Sequence, residues 1–141
     1  MSIEDIVGDF EFLDDWEDRY RYVIELGKSL EPLDEADRNS ENKVNGCVSQ
    51  VWLSCVPDRS NPDDPVLNYT GDSDALIVRG LIAILFSMFN SKPASEIIEL
   101  EPIPILNKLG LQEHLTPQRS NGLFSMVERI KSDARQARAS V

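Results

Sequence analysis

Histidine occurs once in this chain of 141 residues, and cysteine and tryptophan twice each. Two cysteines do not make a disulfide framework. Both thiols are therefore expected to be free, as in a reducing, cytoplasm-like compartment. Positive charge is also scarce: 14 Lys and Arg face 25 Asp and Glu, for a net charge of −11. Such a chain has no surplus of bases to displace counterions from nucleic-acid phosphate, and none to dock on anionic lipid. Long apolar runs are missing as well. The longest uncharged stretch of the most apolar region, Gly80 to Ser91, has twelve residues, which suits a buried helix and not a membrane span. Met1–Leu13 carries four acids and no base, unlike a secretory leader. The P-loop, GxGxxG, HExxH and GxSxG patterns are all absent, as are internal repeats and low-complexity segments.

What remains is the composition of a soluble globular protein, 41% hydrophobic and 28% charged. Residues 1–141 are read as one domain, long enough to bury about 68–70% of its unfolded surface around a single core. The acid is concentrated at one end. Residues 1–41 hold 14 acids and 4 bases, whereas the remaining hundred are nearly balanced at −1. A solvated helical face accounts for this clustering, and an acidic docking surface for a basic partner is the functional alternative.

Ser2 followed by Asp5 has the form of a capping box, and Ile3, Ile6, Val7 and Phe10 recur at helical spacing behind it. A second helix is expected from about Asp14, with Trp16, Tyr20, Val23, Gly27 and Leu30 on one stripe and Pro32 as its stop. Val48–Val56 is rich in β-branched and aromatic residues and reads as a strand. The proline-rich stretch Pro57–Pro65 reads as a loop, and Val66–Thr70 as the returning strand. A lone hairpin is marginal, so a third strand is expected at Lys43–Gly46. Gly71 and Asp72 are read as strand breakers, and Ser73 as the cap of the next helix. In Leu76–Phe89 only Arg79, Gly80 and Ser87 are not apolar, which marks a central core helix. Short helices should follow at Pro93 and at Ile105–Leu109. Thr116 and Pro117 then open a last helix. Its buried stripe comprises Leu123, Met126 or Val127, Ile130, Ala134 and Ala137, and its tail is expected to fray after Arg135. The sum is an α+β fold, a small three-stranded antiparallel sheet with helices at both ends.

The residue best placed for chemistry is Cys47, which follows Gly46 at the turn into the strongest strand. A glycine there lets the backbone approach closely and the side chain project. A nucleophilic thiol must be a thiolate, which requires the site to lower the unperturbed thiol pKa. A small buried hydrophobe is the plainer reading. Cys55 shares the parity of Val51 and Leu53 and is read as core packing. Eight residues apart on a rigid strand, the two thiols lie too far apart to share a metal, at about 3.3 Å per residue, and no third or fourth thiolate is available. His114, the lone histidine, could serve Cys47 as a base or be a polar loop residue. Arg119 falls near the start of the last helix, where a cation opposes the helix dipole. That misfit suggests an external partner or a neighbouring carboxylate.

Three segments occur in order: GCVSQVWL (Gly46–Leu53), GDSDALIVRGLIAIL (Gly71–Leu85) and LGLQEHLTPQRSNGL (Leu109–Leu123). Together with the two N-terminal helices they resemble the SufE family of sulfur-acceptor proteins over nearly the whole chain. The resemblance implies an α+β fold with a small antiparallel sheet, similar to that of the iron–sulfur scaffold protein IscU. It also implies an activity. Such proteins take sulfane sulfur from a cysteine desulfurase of the SufS or CsdA kind, which is expected to carry pyridoxal phosphate, and no cofactor is expected on this chain itself. They pass the sulfur to a scaffold or another acceptor in iron–sulfur cluster assembly. The family's acceptor cysteine matches Cys47, its aspartate before the long helix matches Asp74, and its arginine matches Arg119. Gly46, Ser49, Gln50, Trp52 and His114 are then expected as supporting or partner-binding residues. Val48, Trp52 and the last helix would shelter the sulfur. Cys55 and the proline-rich hairpin connection lie outside the family's pattern. The competing class is a non-catalytic module that stimulates the desulfurase, with Cys47 structural.

Overall fold

The computed structural model describes residues 2–47 and 49–139, excepting the side chain of Gln112. Helix α1 (Ile3–Glu11) opens on the expected capping box: the Asp5 N–H donates to Ser2 Oγ at 3.2 Å and the Asp5 carboxylate accepts from the Ser2 N–H. Helix α2 (Trp16–Lys28) is capped by Asp15, which accepts from the Glu17 N–H at 2.7 Å. These caps supply acceptors to N–H groups that a first helical turn leaves unpaired.

Helix α3 (Leu76–Phe89) occupies the residues the apolar run predicts and buries nine of them, Ile82, Ile84 and Phe89 completely. Helix α2 lies directly against it. A Cβ on Gly80 would collide with the Val23 carbonyl oxygen, and one on Gly27 would stand 2.7 Å from the Gly80 nitrogen. Two glycines thus let the helix backbones touch.

Strands β1 (Val51–Asp58) and β2 (Val66–Ser73) pair antiparallel, from Val51 opposite Ser73 to Asp58 opposite Val66. The sheet has the order β1–β2–β3, and its third strand is Lys92–Pro93, paired with Val66 and Leu67. The expectation of a third strand at Lys43–Gly46 is corrected. Lys43 forms one isolated bridge to Trp52 on the free edge of β1, and Gly46, at φ +90°, turns the chain out of extended geometry. The expected break at Gly71 is corrected too. A Cβ there would meet a Leu53 methyl at 2.9 Å and the Trp52 carbonyl oxygen at 3.0 Å. Glycine is needed inside β2 for close packing, and the strand continues to Ser73. The N-cap of α3 is consequently Ala75, whose N–H donates to Ser73 Oγ at 3.2 Å.

Helices α4 (Ala94–Glu99), α5 (Ile103–Lys108) and α6 (Leu111–His114) are short, and α7 runs from Pro117 to Ala139. Thr116 Oγ1 accepts from the Arg119 N–H at 3.3 Å, as a cap should. The expected stripe of α7 is buried. The tail does not fray after Arg135: Ala137 is buried, and its carbonyl accepts from Arg59 of the hairpin connection at 3.4 Å. Lys131 crosses from α7 to donate to the Ile98 carbonyl at 2.8 Å and to that of Leu100. The ammonium thereby meets carbonyls at the C-terminal end of α4, where positive charge is favoured. Among the described residues no helix is long and apolar enough to cross a membrane.

Candidate functional site

Cys47 stands on a short loop whose two stems are fastened. On one side the Val44 N–H donates to the Val51 carbonyl at 2.8 Å, and the Leu53 N–H donates to that of Asn42 at 2.9 Å. On the other, the Gln50 N–H donates to Asp74 Oδ1 at 3.0 Å and the Asp74 N–H returns a bond to the Gln50 carbonyl. Asp74 therefore acts as a clamp on the far stem. Gly46 makes the turn. Its φ of +90° suits a residue without Cβ, and a Cβ there would lie 2.5 Å from Ser125 Oγ.

The turn lays Cys47 on the face of α7 that carries Gly122 and Ser125. The thiol donates to the Gly122 carbonyl at 3.6 Å. Beside it opens a cavity of about 370 Å³. Val51, Val78, Leu81 and Met126 give it an apolar floor, while Ser49, Thr116, Gln118 and Arg119 form its polar side. Burial pushes the Cys47 thiol above its ordinary 9.0, because a thiolate would lose solvation there. The requirement for a lowered pKa is thus not met at rest, where the neutral thiol is favoured.

Arg119 lines the same cavity as Cys47, and the shift of the thiol comes from burial with no share from the guanidinium. The Arg119 guanidinium donates to the Tyr20 hydroxyl of α2 at 3.5 Å, and it enters none of the ion pairs found among the described residues. His114 is elsewhere. Its ring stacks on Trp16 with centroids 4.3 Å apart and planes 14° apart, and it does not line the cavity. The base–nucleophile pairing with Cys47 is not assembled, because the imidazole is engaged by the indole. Trp52 does not line this cavity. The Arg38 guanidinium covers its ring at 5.4 Å, held by an ion pair to Asp72 that Arg79 shares. The expected shelter from Trp52 is therefore replaced by α7 and α3, and Val48 lies outside the described residues.

Cys55 packs against the core but is only partly covered, so the reading as simple core packing is modified. It lines a separate cavity of about 220 Å³ with Arg59 and Asp133. Burial, reinforced by the Asp133 charge, pushes its thiol up to about 11, with the Tyr69 hydroxyl and Arg129 opposing. A thiol so raised is a poor nucleophile. Among the described residues no group of three His, Cys, Asp or Glu is placed to hold a metal. Gly122, Ser125, Gln118, Met126 and Tyr20 were not foreseen as site residues. The small pair Gly122 and Ser125, three apart on one helix face, was the one signal available.

Residues 4–134 match the family described as SufE, the Fe-S metabolism associated domain. The chain is 56% identical over 134 residues to an uncharacterised SufE-like protein of Rhizobium etli, covering 95% of this chain and 90% of that one. It is 56% identical over 133 residues to another, from Rhizobium meliloti, covering 94% of each. The solution structure of a hypothetical protein from Thermus thermophilus superposes with a TM-score of 0.73 at 18% identity, covering 97% of this chain and 98% of that one. That likeness supports the α+β fold alone.

Proposed function

Since this chain belongs to the SufE family of Fe-S metabolism proteins, we propose that it is a sulfur carrier whose acceptor is Cys47. The donor in this reading is a cysteine desulfurase bearing a persulfide on its own cysteine, and the recipient is an iron–sulfur scaffold or a further acceptor. The observation that carries the reading is a single half-buried thiol on a glycine turn, set over an apolar cavity with room for additional sulfur.

In the transfer, the Cys47 thiolate attacks the terminal sulfur of the donor persulfide. The new S–S bond forms on Cys47 as the donor S–S bond breaks, and the donor thiolate leaves. Two sulfur centres exchange one sulfane sulfur, so no outside oxidant is needed. Departure of Cys47 from its cavity removes the burial that keeps the thiol protonated. Return to the cavity places the loaded sulfur among Val51, Val78, Leu81 and Met126, away from competing thiols. The chemistry asks for no cofactor on this chain, and pyridoxal phosphate belongs to the donor. A cluster scaffold needs several thiolates, whereas here the two cysteines line different cavities. A reducing cytoplasm is the compartment that keeps both thiols free.

The protonated, packed state of Cys47 also suits a second reading, a module that stimulates the desulfurase while its own thiol stays structural. Incubation with desulfurase and cysteine, followed by intact-mass and peptide mapping, separates the two. A carrier gains about 32 Da per sulfur on Cys47 and loses that gain, with its stimulation of turnover, in Cys47→Ala. Stimulation that survives Cys47→Ala favours the module, and sulfur confined to Cys55 overturns the assignment.

A further inference from the structure

A polar chain runs along α7 from the sheet to the stem of the Cys47 loop. Its fixed end is Tyr69 of β2, a buried residue whose hydroxyl donates to Asp133 Oδ2 at 3.0 Å. The other oxygen of Asp133 accepts from Arg129 Nε at 3.3 Å. One helical turn separates the two residues, the spacing at which side chains on one helix meet. The remaining two nitrogens of Arg129 are turned across to the loop stem. They donate to the Glu41 carbonyl at 2.6 Å and to the Lys43 carbonyl at 3.3 Å. Between these residues, the Asn42 carbonyl faces the opposite way and accepts from Leu53 of β1. Alternate carbonyls of residues 41–43 are thus held by α7 and by the sheet edge.

This matters because the two backbone bonds that join residues 42–44 to β1 are the stem's whole pairing with the sheet among the described residues. Lys43 contributes only one isolated bridge to β1, and the Gly46 hinge lies three residues further on. The planar fork of an arginine can bind two acceptors and a carboxylate at once.

We propose that Arg129, set by Asp133, is a positioning residue for Cys47, fastening the loop stem to α7 so that the hinge is limited to the residues after Val44. The proposal rests on the reading of Cys47 as the working thiol. Without the fork, motion would extend back through residues 41–43, and Cys47 would spend more time outside its cavity.

The test uses the full chain and iodoacetamide, with alkylation of Cys47 followed by peptide mapping and amide hydrogen exchange read in parallel. In Arg129→Ala, Cys47 is expected to be alkylated about tenfold faster, the order of effect of losing one charge-assisted hydrogen bond. Exchange at the Val44 and Leu53 amides should accelerate while that within α3 stays at its wild-type rate. Arg129→Lys keeps the charge but cannot fork, and is expected to recover part of the protection. Asp133→Asn removes the setting charge with little change of volume, and should move both readings in the same direction. It decides the matter should Arg129→Ala fail to fold. Wild-type alkylation in the folded variants overturns the proposal, as does faster exchange in α3 by the same factor as at Val44. No sulfur donor enters these measurements. A wild-type protein that accepts no sulfur would therefore remove the carrier reading and still leave Arg129 to be judged.

Discussion

Gly46 answers two demands at once, a left-handed φ of +90° and the nearness of Ser125 Oγ. Gly46→Ala should lower stability by about 1–3 kcal/mol, the range for a side chain forced into that region, in urea unfolding, and speed Cys47 alkylation. Pairing it with Ser125→Gly should restore the steric share and leave the conformational share. At Cys47 the sign of the pH effect follows from burial, which raises the thiol above 9.0. The alkylation midpoint should lie above that of an exposed cysteine. Arg119→Ala should leave the midpoint unchanged, because burial and not a neighbouring charge sets the thiol, and under the carrier proposal it should weaken affinity for a desulfurase. A midpoint displaced upward would return Arg119 to the role of thiolate partner. Cys55 gives a stability signature. Its thiol stands at about 11 folded against an ordinary 9.0, so between those values the folded chain holds a proton the unfolded chain has lost. The contribution is complete below pH 9 and is lost as the pH rises to about 11. Cys55→Ala should flatten that slope in urea midpoints measured across the interval.

Among the elements, α3 and its close contact with α2 offer the clearest tests of packing. Ile84 is wholly buried, and Ile84→Ala should cost about 2–5 kcal/mol through transfer and cavity terms. Overpacking usually costs about 1–3 kcal/mol. Gly80→Ala should reach or pass the top of that range in denaturant melts, since the obstruction is the Val23 carbonyl oxygen and not a movable side chain. Legibility in the sequence tracked the length of the signal. The uninterrupted apolar run of α3 and the caps at Ser2 and Thr116 could be read because each is a local pattern. Strand β3 could not, for two residues carry no period and their partners, Val66 and Leu67, lie beyond the whole of α3. Gly71 misled because glycine has two uses, breaking a strand and admitting a close neighbour. Only the position of Leu53 and Trp52 across the sheet tells them apart.

Over the whole molecule, charge is lopsided along the sequence. Residues 1–41 hold net −10, and their internal pairs among the described residues, Arg21 with Asp18, Lys28 with Glu25 and Arg38 with the exposed Glu35, add little. Repulsion within this acidic end should be screened by salt. The melting temperature is expected to rise between low salt and roughly 0.5 M salt, and a constant or falling value would show the charges already well dispersed. The same global view explains which parts of the site were readable. Gly46 and Cys47 are neighbours in sequence, so their partnership was visible. His114 and Trp16 stack across most of the chain's length, Tyr20 meets Arg119 across a separation of 99 positions, and Arg129 reaches back 88 positions to Glu41. Such pairs leave no spacing to detect.

The fastening of Val44 to Val51 also sets a length. From Val44, three residues of fully extended chain carry Cys47 through about 10 Å at most. The thiol is on a tether of fixed radius, not on a long swinging arm. Under the carrier proposal, a donor whose sulfur sits deeper than that radius below its own surface cannot be served by this loop alone. Its cysteine must ride outward on a segment of its own to meet Cys47 partway.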